Sequence, residues 1–202
     1  MACPDESRVR ECLWPGDAES DAHPRNAFAV VDLARDPHIH SLVLASAPHF
    51  VCVENGRMTR EQQEVAPYLV RVQPRGPLLR RWLDDGWGRS WGVLAVPAET
   101  LSLERLRRHF EGLLRVRTPD DETVIFRYYD PRVFRAFLPT CTPEQLDEVF
   151  GPIAEFWVEA AGGDALFRYR RADRRLERTR VALAGPAEAE WPSELIPSPA
   201  GA

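Results

Sequence analysis

The chain has no lysine; all 26 of its basic residues are arginine. A bias in coding composition accounts for this in an otherwise ordinary sequence, and selection for bidentate anion recognition is the sharper alternative. Cysteine is scarce. Cys3, Cys12, Cys52 and Cys141 are scattered, with no Cys-x-x-Cys pair. That spacing excludes a disulfide framework and makes a reducing, cytoplasmic location the default expectation. No apolar run approaches the length of a membrane span. The N-terminus lacks a basic region followed by an apolar stretch, so no secretory signal is expected. No internal repeat recurs at a fixed period. A net charge of −5 argues against general affinity for nucleic acid.

What remains is ordinary for a soluble protein: 202 residues, 44% hydrophobic and 28% charged, enough for one sizeable domain or two small lobes. Residues 1–25 are polar and proline-bearing and read as a flexible leader. Ala27 to Leu33 is an apolar run suited to a strand buried on both faces. Asp36-Pro37 then supplies an N-cap and a first-turn proline for a short helix through Ile39, Leu42, Val43 and Ala47. His49 to Val53 and Tyr68 to Gln73 read as strands, with Arg57 to Glu64 between them as a loop or one helical turn. Leu78, Leu79, Trp82 and Leu83 form a helical face stopped at Gly86, and Trp91 to Val96 is another strand.

Ser102 caps the best-defined helix, whose stripe is Leu103, Leu106, Phe110, Leu113 and Leu114. Thr123 to Tyr129 reads as a strand running straight into a helix from Pro131 to Leu138, with Asp130 as its cap. Thr142 and Gln145 have the spacing of a capping box for a helix through Leu146, Val149 and Phe150. Phe156 to Glu159 and Leu166 to Arg170 suggest a hairpin turned at Gly162-Gly163-Asp164, with Arg178 to Ala184 as a third strand. The expected fold class is α/β. A mixed central sheet flanked by helices fills 26–138, a smaller helix-plus-β-hairpin lobe fills 139–184, and 185–202 is a disordered tail.

Chemistry is sparse. Gly86-Trp87-Gly88-Arg89-Ser90-Trp91-Gly92 is glycine-rich, but it follows a helix and enters a strand, the reverse of a phosphate loop. It reads as a helix stop and tight turn with Trp87 and Trp91 packed nearby. His38 and His40 lie on different helix faces, and His23 and His49 lack ligand spacing, so no metal and no cofactor is expected. Cys141 before a helix could serve as a nucleophile with His109, yet no orienting group or oxyanion loop accompanies them. The run Arg168, Arg170, Arg171, Arg174, Arg175, Arg178 and Arg180 is either the solvated face of a hairpin or a docking surface for acidic protein or nucleic acid.

The order of motifs resembles one family. Its marks are Ala66-Pro67-Tyr68-Leu69-Val70, Trp82-Leu83 through Gly92, the helix Leu103 to Leu114, Phe126 to Arg132, and Leu138 through Gln145 to Phe150-Gly151-Pro152. The family is the type VI secretion effector adaptors, or effector chaperones, long catalogued as a domain of unknown function, and the resemblance spans about Ala27 to Pro152. One departure is Arg108-His109-Phe110, where the family usually reads His-Leu-Arg. The resemblance implies a non-enzymatic cytoplasmic protein that binds a toxin effector and helps load it onto the spike protein of the secretion apparatus. Tyr129, Arg132, Arg135, Arg105 and Arg108 are the expected partner contacts, with Asp130 and Pro131 structural. No small-molecule substrate and no membrane partner is expected. The alternatives are a nucleic-acid binder using Arg168–Arg180 and a cysteine-dependent enzyme.

Overall fold

The alternating burial of β1 (Ala27–Asp32) organises the molecule, because its two faces feed two different cores. Ala27, Ala29 and Val31 face one apolar cluster; Phe28 and Val30 face the other. The computed structural model describes residues 4–16, 25–46, 49–118, 120–183 and 193–196. Around β1 lie β2 (Phe50–Cys52), β3 (Pro67–Val72), β4 (Gly92–Pro97), β7 (Ile153–Glu159), β8 (Ala165–Ala172), β9 (Arg175–Ala182) and β10 (Glu194–Ile196). They form one eight-stranded sheet in the order β10-β9-β8-β7-β4-β1-β3-β2, with every pairing antiparallel. A separate two-stranded ribbon joins β5 (Arg115–Arg117) to β6 (Thr123–Ile125).

Helices cover both sheet faces, as the α/β class requires. One face carries α1 (Glu6–Leu13), α2 (Pro37–Ala45) and α4 (Pro77–Arg81), the last running into a π-turn over Trp82–Gly86. The other carries α5 (Leu103–Gly112), α6 (Pro131–Phe137) and α7 (Pro143–Phe150). A short α3 (Arg60–Gln63) supplies the helical turn expected in the charged stretch, closed by a Thr59–Gln62 capping box. The capping logic holds at Asp36, Ser102, Asp130 and Thr142, each of whose side chains accepts a first-turn amide.

The sheet is wholly antiparallel, not the mixed sheet expected, because each strand of the β1 core meets its neighbours antiparallel, and four further expectations need correction. Residues 4–16 are not a loose leader: α1 buries Val9 and Leu13 completely, and Trp14 donates its indole N–H to the Arg25 carbonyl at 2.6 Å. The remaining leader residues, 1–3 and 17–24, lie outside the described ones. Segment 139–184 does not stand apart as a lobe, because β7 pairs with β4 and the hairpin strands extend the same sheet. Within the tail, β10 pairs with β9 and Ile196 packs on the core; residues 184–192 and 197–202 lie outside the described ones.

The fourth correction concerns the strand before α6. It ends at Ile125, and residues 128–130 form a turn. Tyr128 and Tyr129 therefore do not point to opposite faces. Both rings are buried, packed edge to face at 5.5 Å. The Tyr128 hydroxyl donates to the Phe110 carbonyl at 3.0 Å, which ties the turn to α5 and outweighs the period-two pattern.

Candidate functional site

The turn before α6 lies against the end of β1. Asp32, fully buried, ends that strand and accepts from the Ala34 amide at 3.1 Å and from the Arg127 guanidinium. Arg127 also sits over the Tyr129 ring, 5.9 Å from its centroid. Burial, and then the Asp32 charge, pushes the Tyr129 hydroxyl above its ordinary value, so it stays neutral. Asp130 does double duty. It caps α6 through the Arg132 amide at 2.9 Å and receives the Arg132 side chain at 3.0 and 2.6 Å. Burial opposes its ionisation, yet the Arg132 bonds hold its carboxyl below the usual range.

The five expected contact residues are thus placed differently from one another. Arg132 is exposed but engaged by its own cap residue. Arg135 turns back to donate to the Glu159 carbonyl. Arg105 and Arg108 are exposed on α5, near Glu99 at 3.6 Å and Glu104 at 3.8 Å. Arg105 and His109 also border an open depression of about 560 Å³ beside Gly151. Tyr129 alone reaches the other large groove, about 380 Å³, formed between the segment after β2 and the ribbon. The fold therefore does not gather the five into one patch.

That second groove is where apolar surface concentrates. Among the described residues six large hydrophobic side chains are exposed, and Val65, Val116, Val124 and Ile125 belong to the ribbon or to the groove wall facing it. Ile125 is the most exposed, at 67%. Strand-like alternation over 123–129 does not by itself distinguish an exposed ribbon from a buried strand; the signal in the sequence is the acidic run Asp120-Asp121-Glu122 beside the β-branched residues.

Other candidate chemistry resolves into structure. Glu159, buried, accepts from the Gly88 amide at 2.8 Å and the Ser90 amide at 3.0 Å. The glycine-rich segment thus holds an internal carboxyl group, whose pKa burial pushes up against the two amide bonds that lower it. Gly86 is required there because a Cβ would sit 2.3 Å from the Trp91 ring. Cys141 is 2% exposed, and burial pushes its thiol up to about 12. Its Sγ lies 3.7 Å from the Phe137 carbonyl, while His109 donates Nε2–H to the Val149 carbonyl at 3.2 Å. The two groups answer to different partners.

His38 pairs with Asp36 at 2.8 Å, and His23 lies outside the described residues. No group of three or more His, Cys, Asp or Glu side chains among the described residues could hold a metal ion. Six of the seven hairpin arginines are engaged. Arg168 lies 5.6 Å over Trp157, Arg170 and Arg178 meet Glu155 and Glu194, Arg171 and Arg174 meet Asp147, and Arg180 meets Asp164. Arg107, buried, is clamped along α5 by Glu104 at 2.8 Å and Glu111 at 2.9 Å and reaches out of the helix to the Val53 carbonyl at 3.5 Å.

The architecture is that of an α/β protein with helices on both faces of an antiparallel sheet and an exposed ribbon at one side. Residues 27–148 match the model of a family described as domain of unknown function 4123, and the chain belongs to that family. No curated protein and no solved structure matches it.

Proposed function

We propose that this chain is a non-enzymatic adaptor that binds a type VI secretion toxin effector in the cytoplasm and helps load it onto the spike protein. The observation that carries this reading is the concentration of exposed apolar side chains on the ribbon and the groove beside it. Such a patch on an otherwise charged surface marks a protein-contact site. A buried thiol held protonated and a histidine directed at a backbone carbonyl favour binding over covalent catalysis. No helix among the described residues is long and apolar enough to cross a membrane.

The test is capture from the native cell. Tagged protein should bring down the toxin encoded beside it together with the spike. Arg132→Glu is a poor probe, because it would set two carboxylates against each other at the start of α6 and confuse binding with folding. Ile125→Asp changes a side chain that is two-thirds exposed and should leave thermal stability unchanged while weakening capture about tenfold. Recovery of no secreted protein or spike by the wild type would refute the adaptor reading.

A further inference from the structure

The β5–β6 ribbon is a sheet with two open edges. Its ladder bonds run from the Thr118 amide to the Glu122 carbonyl at 2.9 Å and from the Phe126 amide to the Leu114 carbonyl at 2.8 Å. Antiparallel strands alternate inward and outward backbone groups, so Val124 faces β5, while the N–H and C=O groups of Thr123 and Ile125 point away from the ladder. The face of the ribbon that carries the cross-strand pair Arg115 and Ile125 walls the groove together with Val65 and Tyr129. An unpaired edge carrying β-branched residues, on a ribbon whose Ile125 face opens onto a groove of mixed polar and apolar lining, is a template for another strand.

Charge narrows the occupant. The two segments that bound the groove, 54–64 and 115–125, together carry six carboxylates against four arginines. Three of those carboxylates, Asp120, Asp121 and Glu122, crowd the turn of the ribbon. An incoming strand therefore gains from basic residues near the turn and from apolar residues alternating along its groove-facing side. We infer that the open edge of β6 captures an extended segment of the cargo, apolar on one face and basic at one end, by strand addition. This inference rests on the adaptor reading and specifies how the cargo is held.

The probe is a synthetic peptide of about six residues that alternates valine and threonine and ends in two arginines. Amide chemical shifts of the isotope-labelled full chain report where it binds. The expected result is perturbation of the Thr123 and Ile125 amides together with Val65 and Tyr129, and a weaker response to the same peptide ending in two glutamates. Thr123→Pro removes an outward N–H without touching the ladder and should weaken binding about tenfold, whereas Thr123→Ala should not. Because proline can disturb the ribbon, Ile125→Arg serves as a second variant, opposing the basic peptide by charge and removing its apolar contact.

Unperturbed ribbon amides, perturbation confined to another surface, or equal binding by both peptides would each overturn the inference. The two readings fail separately. Wild-type protein that captures its toxin while the ribbon stays silent keeps the adaptor role and loses strand addition. Wild-type protein that captures nothing from the cell, yet shows the expected ribbon shifts, loses the adaptor role and with it the cargo as occupant, and keeps only strand addition at the β6 edge.

Discussion

His109 shows how one residue can be displaced from chemistry into architecture. Its ring lies against Gly151, where a Cβ would come within 2.6 Å of Cε1 and where φ is +46°. Only glycine suits that position, and the turn out of α7 closes over the imidazole. Burial lowers the His109 pKa below its ordinary 6.5. The folded state therefore binds the proton less readily than the unfolded chain. Stabilisation from this group is fully present above 6.5 and is lost as pH falls through the lower folded value. Denaturant unfolding followed through that window should show stability falling towards acid. His109→Gln, which keeps a donor for the Val149 carbonyl, should flatten the slope; an unchanged slope would assign it to other groups.

At the scale of elements, α1 is the piece whose role most exceeds its sequence signal. Leu13 is fully buried in the cluster that also holds Trp82, Trp87 and Trp157. Leu13→Ala should cost about 2–5 kcal/mol in urea unfolding, whereas the same change in a loose leader would cost nothing. Caps were legible because they are local: Asp36, Ser102, Asp130 and Thr142 each act within three residues of themselves. So were the individual strands β1, β3, β4 and β7 to β9. Burial of α1 was not legible, since eight residues carrying several charges reveal a core face only once Trp87 and Leu79 are folded opposite them. Nor was the end of β6. Residues 123–129 alternate as a strand should, but the turn is decided by the Tyr128 hydroxyl and the Asp32–Arg127 pair, contacts far apart in sequence. Of the groove's lining, Tyr129 was singled out from sequence for other reasons and Ile125 and Val65 were not, because exposure of an apolar side chain is a property of the whole surface.

Across the whole molecule, charge is mostly matched internally. The basic hairpin segment, which in sequence suggested a nucleic-acid surface, meets carboxylates from α7, β7, β10 and the turn before β8. Each exposed pair adds little stability, about 0–1 kcal/mol, but together they remove the uncompensated positive field that phosphate binding needs. A mobility-shift assay at low salt should accordingly show no retardation of single- or double-stranded nucleic acid, and a salt-sensitive shift would reopen that reading.

The strand order has a further meaning for how the chain is made. Once β3 has emerged it pairs with β1, and β4 then joins the other side of β1. From there β7, β8, β9 and β10 each find their partner strand already synthesised and waiting at the growing edge. On that side of β1 the order of synthesis matches the order in the sheet; on the other side the edge strand β2 precedes its partner β3. The longest wait falls between β4 and β7, while the ribbon and the helices α5 to α7 are being produced. In that interval β4, paired with β1 on one side only, leaves its other edge open, the kind of exposed strand edge that makes a partly folded chain prone to association.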